Sequence, residues 1–308
     1  MIGGANMDIV AASRAALLAQ DSNPGTVRYS PGGVGRNVAE NLARLGQTVH
    51  LVSAVGTDMF GQTVREQTTA AGVDMAATLG MAAGRTATYV SVQGPDGDMA
   101  VAVNAMDIMD ALTPECLGPH AELLVHASSW VVDCNVAPTT LDWLFQQAGP
   151  MPVRVDGVSV SKCLRILPYL AQIDTLKVNR QEAQALTCRP VRSPHDALGA
   201  AQALCDRGVR LAVISLGARG VVWCERGTAA RLAPGATVPV QSTTGAGDAL
   251  LAGIVDALSR AVPSADAVLW GMACAEMTLQ SPLANAHQLR RAQVAEHLAR
   301  RVVKAPDS

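Results

Sequence analysis

STTGAGDALLAGIVDAL, residues 242–258, places two threonines, a Gly-Ala-Gly and an aspartate ahead of an apolar helical run. Glycine lets the backbone bend tightly and leaves the peptide N–H groups uncovered. The free N–H groups of a helix's first turn, together with the positive end of its dipole, attract anions. Asp248 is therefore either an acid that caps this helix or a base held beside an anion-binding turn, and the motif alone allows both.

Composition narrows the class of protein. The chain has 308 residues, 49% of them hydrophobic, and a formal charge of −2, which suits one large domain or two smaller ones. We find neither an apolar stretch of about 20 residues nor a secretory leader, so no membrane span is predicted and a cytoplasmic location is expected. Seven scattered cysteines predict reduced thiols rather than a zinc site. With 3% aromatic residues, polymeric nucleic acid is not an expected ligand, whereas a single nucleoside is compatible.

Apolar strand-like runs alternate with helical patterns, as where MPVRVD (151–156) is followed by SKCLRILPYLAQI (161–173). This alternation predicts an α/β fold, a parallel sheet with helices on both faces. RTATYVSVQGPDGDMAVAVN (85–104) consists instead of two alternating runs around a Gly-Pro-Asp-Gly turn, which predicts a hairpin. It is a candidate lid, with an ordinary edge hairpin as the alternative. Only Met1 and Ile2 precede the first turn, so the first strand is expected to be very short or to begin upstream.

Two motifs near the start carry polar groups. Asn6 and Asp8 are two residues apart, so in an extended segment both side chains face the same way and could bind a pair of hydroxyls. Turn formation is the alternative for them. The glycines of PGGVGRN (31–37) open a helix and permit close approach of a ligand, which Asn37 in the first turn could reach.

Two further motifs lie in the second half of the chain. Asn179 and Glu182 stand three apart at a strand-to-helix junction, where they could face a ligand together or form a capping box. Gly217 and Gly220 follow a strand, and they could admit a nucleotide near the backbone or make a hairpin turn. Dinucleotide-binding and P-loop spacings are not met, which argues against those two nucleotide sites.

The order of these parts along the chain resembles the ribokinase-like sugar kinases of the phosphofructokinase B (pfkB) family over essentially its whole length. Within that family, residues 21–46 are most similar to the pseudouridine kinases, including Arg36 between Gly35 and Asn37. Many ribose kinases of the family have a lysine where this chain has Val34, which counts against ribokinase itself.

The resemblance implies one kinase domain over residues 1–308, with three α/β/α layers and a small β lid from segments within about 10–30 and 84–105. It implies ATP-dependent phosphorylation of the ribose 5′-hydroxyl of pseudouridine, giving pseudouridine 5′-phosphate and ADP. Another nucleoside, ribose or a related sugar is the alternative acceptor. A catalytically silent nucleoside sensor is the alternative from a different class. An exposed lid hairpin also suggests a homodimer.

Roles at the site follow from the same resemblance. Asp248 matches the base that takes the proton of the attacking hydroxyl. The backbone N–H groups of Gly245, Ala246 and Gly247 match the family's anion hole for the transferred phosphoryl group. Asp8, Gly33 and Asn37 match the positions that bind the ribose hydroxyls, and Asn6 lies nearby. The positions that bind the nucleotide are matched by Asn179, Glu182, Ser215, Gly217, Gly220 and Thr244.

The resemblance also bears on ions and on the base. Mg²⁺ would neutralise nucleotide charge, and Glu182 would hold it through water, because Mg²⁺ dehydrates reluctantly. Ser242 stands where ribokinases often have an aspartate, which argues against activation by a monovalent cation. The polar candidates for recognising the base, for which core and surface roles fit equally well, are Ser30, Asn104, Asn135 and Lys162.

Overall fold

The computed structural model describes residues 1–303. The strands are β1 (Asn6–Ser13), β2 (Gly25–Gly32), β3 (Ala54–Gly56), β4 (Leu79–Met81), β5 (Thr88–Gln93), β6 (Met99–Ala105), β7 (Trp130–Asp133), β8 (Val153–Asp156), β9 (Ile173–Asn179), β10 (Leu211–Ser215), β11 (Val221–Glu225) and β12 (Arg231–Ala233). The α-helices are α1 (Val34–Arg44), α2 (Met59–Ala70), α3 (Pro114–Leu117), α4 (Ala121–His126), α5 (Pro138–Gln147), α6 (Val160–Cys163), α7 (Arg180–Thr187), α8 (Pro194–Asp206), α9 (Ala246–Ser259), α10 (Ser264–Leu279) and α11 (Arg291–Val303).

A six-stranded sheet forms the centre of the molecule, in the order β12-β11-β10-β9-β8-β7. Strands β7 to β10 are parallel, as the alternation of strands and helices predicts. Strand β11 is antiparallel to β10, as the alternative of a hairpin turn at Gly217 and Gly220 allowed, and β12 is antiparallel to β11, which the sequence pattern did not predict. The reason for the direction of β11 is the short 3₁₀ turn Gly217–Arg219 between β10 and β11, since a parallel partner needs a crossover of a dozen or more residues.

Helices cover both faces of this sheet. Alternate strand residues face opposite layers: Val213 packs in the cluster of α9 and α10, whereas Ile214 packs in the cluster of α5, α7 and α8. Val131 of β7 packs with α1 and α9. The three-layer α/β/α fold is therefore confirmed, and the first residues of α1 and α9 lie in the same layer.

The first residues of the chain connect the six-stranded sheet to β1, which belongs to a second sheet. Ile2 forms single-residue bridges to Val132 and to Val52, and its N–H donates to Val131 O at 2.8 Å. The chain then passes through Gly3 and Gly4 directly into β1.

A second, four-stranded sheet has the order β2-β1-β5-β6 and is called the small sheet below. The predicted hairpin is present as β5 and β6, which are antiparallel, and Gly97 in its turn has a φ of 84°. Its strands overlap the segments predicted for a lid, although β1 begins earlier, at Asn6. One face of the small sheet carries Asp8, and the other face is apolar.

The helix expected over residues 161–173 is wrong in its length. Helix α6 ends at Cys163, and Leu164–Gln172 continues as 3₁₀ helix. Pro168 within this segment has no N–H to donate and cannot sit in a regular α-helix interior.

At the C-terminus, residues 304–308 of the predicted domain lie outside the described residues. Within residues 1–303, no helix combines the length and apolar character needed to cross a membrane.

Candidate active site

The start of β1 lies against the turn that opens α1. Asn6 and Asp8 are both in the strand, and Asn6 Nδ2 donates to Asp8 Oδ1 at 2.6 Å. A Cβ atom placed on Gly32 would overlap Asp8 Oδ2, and one placed on Gly33, whose φ is 96°, would lie 2.8 Å from Asn6 Oδ1. The glycines therefore make room for these two polar side chains. Burial raises the pKa of Asp8, against the opposing hydrogen bond from Asn6 and the nearby charge of Arg36.

The starts of α1 and α9 meet at a hydrogen bond. Asn37 Nδ2 donates to Asp248 Oδ2 at 2.9 Å, and Asp248 is only 8% exposed. Burial and then the charge of Asp156 raise the pKa of Asp248 to about 7, while Lys177 and the Asn37 hydrogen bond oppose that rise. A carboxyl group that titrates near neutral pH is suited to accepting a proton from a hydroxyl.

The residues before Asp248 form a turn with free donors. Gly245 has a φ of 80°, and a Cβ there would overlap the carbonyl oxygen of Ala284. Within residues 1–303, no acceptor takes a hydrogen bond from the N–H of Gly245, Ala246 or Gly247. Three adjacent N–H groups at the positive end of a 14-residue helix form a favourable anion site.

A buried ion pair lies beneath this turn, and the motif analysis missed it. Lys177 Nζ donates to Asp156 Oδ2 at 3.0 Å, and a Cβ on Gly247 would lie 2.6 Å from Lys177 Nζ. Burial opposes the charge on Lys177, yet Asp156, Asp248 and Glu182 together raise its pKa above the ordinary value. The sequence did contain a signal for this pair, a lysine and an aspartate inside runs otherwise typical of buried strands. Because charges are rarely buried unless they are paired, those two residues indicated an ion pair.

A second buried carboxylate, also missed, holds the start of the chain. Asp133 at the end of β7 accepts hydrogen bonds from the N–H groups of Gly4 and Asn135, both at 2.8 Å. Burial raises its pKa to about 6. A Cβ on Gly3 would overlap this carboxylate. Asp133 thus fixes the two glycines from which β1 enters the small sheet.

The four candidates for recognising the base fall into two groups. Lys162 Nζ donates to Asn135 Oδ1 at 2.6 Å, and a Cβ on Gly4 would lie 2.7 Å from Asn135 Nδ2, so this pair flanks the entry to β1. The other two candidates, Ser30 and Asn104, lie in one row across the small sheet with Asp8. Tyr89, which was not a predicted site residue, lies in the same row. The row is Ser30–Asp8–Tyr89–Asn104.

Asn179 and Glu182 form the capping box that the sequence allowed. Asn179 Oδ1 accepts from the N–H of Gln181 and Glu182, and Glu182 Oε2 accepts from Asn179 N–H at 2.9 Å. Glu182 Oε1 also accepts from Asn179 Nδ2. Both carboxylate oxygens thus have partners already, and residues 1–300 contain no cluster of three metal-ligating side chains. This donor set fits Mg²⁺ held through water rather than by direct ligands.

The remaining predicted nucleotide residues lie around two turns. Ser215 pairs with Asn179 across β9 and β10, which brings the two motifs together. Gly217 and Gly220 form the hairpin turn, but they differ: a Cβ on Gly220 would overlap Ala233 O, whereas nothing lies within 4 Å of a Cβ on Gly217. Packing explains Gly220, and open space beside Gly217 leaves room for a ligand. Thr244 is exposed beside Gly245.

Comparison with known proteins places this geometry in a family. The sequence profile of the pfkB family carbohydrate kinases matches residues 1–290. This chain belongs to the pfkB family of carbohydrate kinases. The kinase is 38% identical to the pseudouridine kinase of Escherichia coli over 295 residues, which is 96% of this chain and 94% of that protein. It is 27% identical to the guanosine-inosine kinase of Exiguobacterium acetylicum, covering 91% of this chain and 94% of that protein.

Solved structures support the same fold. The ribokinase of Arabidopsis thaliana, solved with ribose and ATP, superposes with a TM-score of 0.85 at 21% identity, covering 96% of this kinase and 97% of that chain. The ribokinase-like architecture is thus shown for this chain. Membership among the phosphotransferases with an alcohol acceptor follows from the family match.

Proposed function

We propose that this kinase transfers the terminal phosphoryl group of ATP to the 5′-hydroxyl of pseudouridine, giving pseudouridine 5′-phosphate and ADP. The observation that carries the proposal is the hydrogen bond from Asn37 to Asp248. It places the start of α1, whose preceding glycines Gly32 and Gly33 lie against Asp8 and Asn6, beside a carboxylate that follows three free N–H donors. The similarity to a pseudouridine kinase supports the choice of acceptor. Use of ATP agrees with a cytoplasmic location, which we propose with it.

The chemistry follows from these positions. The 5′-hydroxyl oxygen attacks the terminal phosphorus, a new P–O bond forms, the bond to the bridging oxygen breaks and ADP leaves. Asp248 takes the hydroxyl proton as the P–O bond forms. Since phosphoryl transfer depends on alignment and charge compensation, the N–H groups of Gly245, Ala246 and Gly247 stabilise the equatorial oxygens. Glu182 would hold Mg²⁺ through water, and the bound ion would supply further compensation of nucleotide charge.

The choice of acceptor predicts a measurable preference. Pseudouridine has an extra ring N–H relative to uridine, and an acceptor placed for it would be left unpaired by uridine, at a cost of about 1–3 kcal/mol. We expect kcat/KM for pseudouridine to exceed that for uridine by at least about tenfold, with free ribose lower still. ADP release at matched subsaturating concentrations across a panel of nucleosides and sugars measures this.

Other results of the panel separate the levels of the assignment. Equal rates with uridine, or a preference for ribose, guanosine or inosine, would remove pseudouridine as the substrate and leave the kinase assignment in place. If no member of the panel causes ATP to be consumed, a catalytically silent sensor would be favoured instead.

The apolar face of the small sheet supports a homodimer, which we propose as the assembly of this kinase. Two rows of side chains cross all four strands on the face opposite Asp8, and several are 55% exposed or more. The rows are Tyr29–Ile9–Val90–Val103 and Val27–Ala11–Val92–Val101. A second copy brings an identical apolar face, and a twofold axis lets the two faces cover each other.

Sedimentation analysis tests this assembly. We expect the wild-type protein to be a dimer and Val103→Lys to be a monomer, because a charge in the face would be buried without a partner. Val125→Lys, on exposed helix α4 away from this sheet, is the matched control and should remain a dimer. A wild-type monomer at all concentrations would remove the proposal.

A further inference from the structure

Arg36 is buried next to the site without facing the anion turn. It is 5% exposed in the first turn of α1, immediately before Asn37. Its Nη1 donates to Asn37 Oδ1 at 3.1 Å and to Asn285 Oδ1 at 2.7 Å. An ion pair with Glu40 compensates the buried charge, but it does not explain why the guanidinium also donates to two amide oxygens.

The contact with Asn37 fixes which way that amide faces. A side-chain amide has one acceptor oxygen and one NH₂ donor, whereas a guanidinium can only donate. With Oδ1 directed at Arg36, the NH₂ group of Asn37 is directed at Asp248 Oδ2, 2.9 Å away. Rotated by half a turn, the amide would place its NH₂ against the guanidinium and its oxygen against the carboxylate, and both contacts would be repulsive.

We propose that Arg36 is a positioning residue for Asp248, acting through the amide of Asn37. It holds the Asn37 NH₂ against Asp248 Oδ2, which leaves the other carboxylate oxygen for the proton of the attacking hydroxyl. The inference rests on the proposed function of Asp248 as the base and deepens it. Arg36 itself does not donate to Asp248.

A second branch of the same network reaches the anion turn. Asn285, the other acceptor for Arg36, donates through Nδ2 to the carbonyl of Asn37 at 2.9 Å. Its neighbour Ala284 lies with its carbonyl oxygen against Gly245. Arg36 thus contacts both the start of α1 and the loop that lies against the start of α9.

The other contacts of Arg36 provide a matched control. Arg36 forms an ion pair with Glu40, which also pairs with Arg44, and its Nε donates to Thr68 Oγ1 at 3.2 Å. These contacts do not involve Asn37, whereas Nη1 also donates to Pro31 O at 3.3 Å. A purely structural arginine would depend on them, whereas the positioning role depends on the Nη1 contacts.

The test compares the pH profile of kcat/KM for Arg36→Met with that for Thr68→Val, the matched control, which removes only the contact with Nε of Arg36. The Asn37 hydrogen bond lowers the pKa of Asp248 against burial and the charges of Asp156 and Asp133, while Lys177 also lowers it. Losing that bond should move the acid limb of the profile up by about one pH unit, which lowers kcat/KM about fivefold at pH 7 and about tenfold well below that pH. Thr68→Val should leave the limb in place, even if it lowers the melting temperature.

A double substitution distinguishes an effect of Arg36 through the Asn37 amide from a direct effect of its charge on Asp248. Asn37→Leu should move the limb like Arg36→Met, and the two together should move it no further, since both remove the same hydrogen bond. Additive shifts would mean that Arg36 acts by its charge alone, and they would overturn the inference. If Arg36→Met does not fold, Arg36→Met/Glu40→Leu removes the ion pair as a unit and leaves no unpaired buried carboxylate.

A readout independent of turnover keeps this inference distinct from the proposed function. The ¹³Cγ resonance of Asp248, assigned by its loss in Asp248→Asn, reports the titration of that carboxyl group without any substrate. We expect its midpoint to rise in Arg36→Met. An unchanged midpoint would overturn the positioning role even if Asp248 proves to be the base, whereas full activity of Asp248→Asn would overturn the base and leave the titration result standing.

Discussion

Asp248→Asn is expected to lower kcat by roughly 10²-fold or more, the usual scale for losing a general base. Asparagine has nearly the same shape and leaves the three free N–H groups in place, but it cannot take a proton from the hydroxyl. Nucleoside affinity should therefore change little. Steady-state rates of ADP release together with calorimetric binding of the nucleoside measure the two effects separately.

The pH dependence of the wild-type enzyme checks the same residue. Burial raises the pKa of Asp248 to about 7, so the carboxyl group is protonated below that pH and cannot act as a base. The value of kcat/KM should consequently rise as the pH increases through about 7 and then level off. Near-normal kcat in Asp248→Asn would reduce this residue to an acid at the start of a helix.

Lys177→Met is expected to have the largest effect on stability. It leaves the Asp156 carboxylate buried without its 3.0 Å partner, and breaking a buried pair in this way costs about 3–5 kcal/mol of unfolding free energy. We propose that the Lys177 ammonium, which lies against Gly247, also offsets phosphoryl charge at the anion turn, so the rate should fall as well. Denaturant unfolding and kcat measure the two losses.

A double variant distinguishes those two losses. Lys177→Met/Asp156→Leu removes both charges, so most of the stability should return. The rate should stay low if Lys177 serves the phosphoryl group. Full recovery of the rate in the double variant would show that the lysine serves only to neutralise Asp156.

Much of the fold could be predicted from local patterns. The strand and helix alternation was sufficient for the three layers, and the Gly-Pro-Asp-Gly turn for the hairpin of the small sheet, because both depend on neighbours in sequence. The hairpin turn at Gly217 and Gly220, one of two readings of that motif, allowed for the antiparallel pairing of β10 with β11. The antiparallel pairing of β12 was not predicted, since the residues of a strand do not fix the direction of its partner. The helix that Pro168 converts to 3₁₀ geometry was an avoidable error, because proline's missing N–H is visible in the sequence.

The amino-acid sequence by itself determined which groups could do chemistry: Asp248 behind its glycines, Asn6 with Asp8 in an alternating segment, and the order of motifs that indicates the family. Only the tertiary structure decided which of them meet. The hydrogen bond from Asn37 to Asp248 spans 211 residues of chain, and the pair of Lys177 with Asp156 depends on two adjacent parallel strands. Local propensity carries no information on such contacts, because packing of the layers brings the groups together, and burial there sets their charges and pKa values.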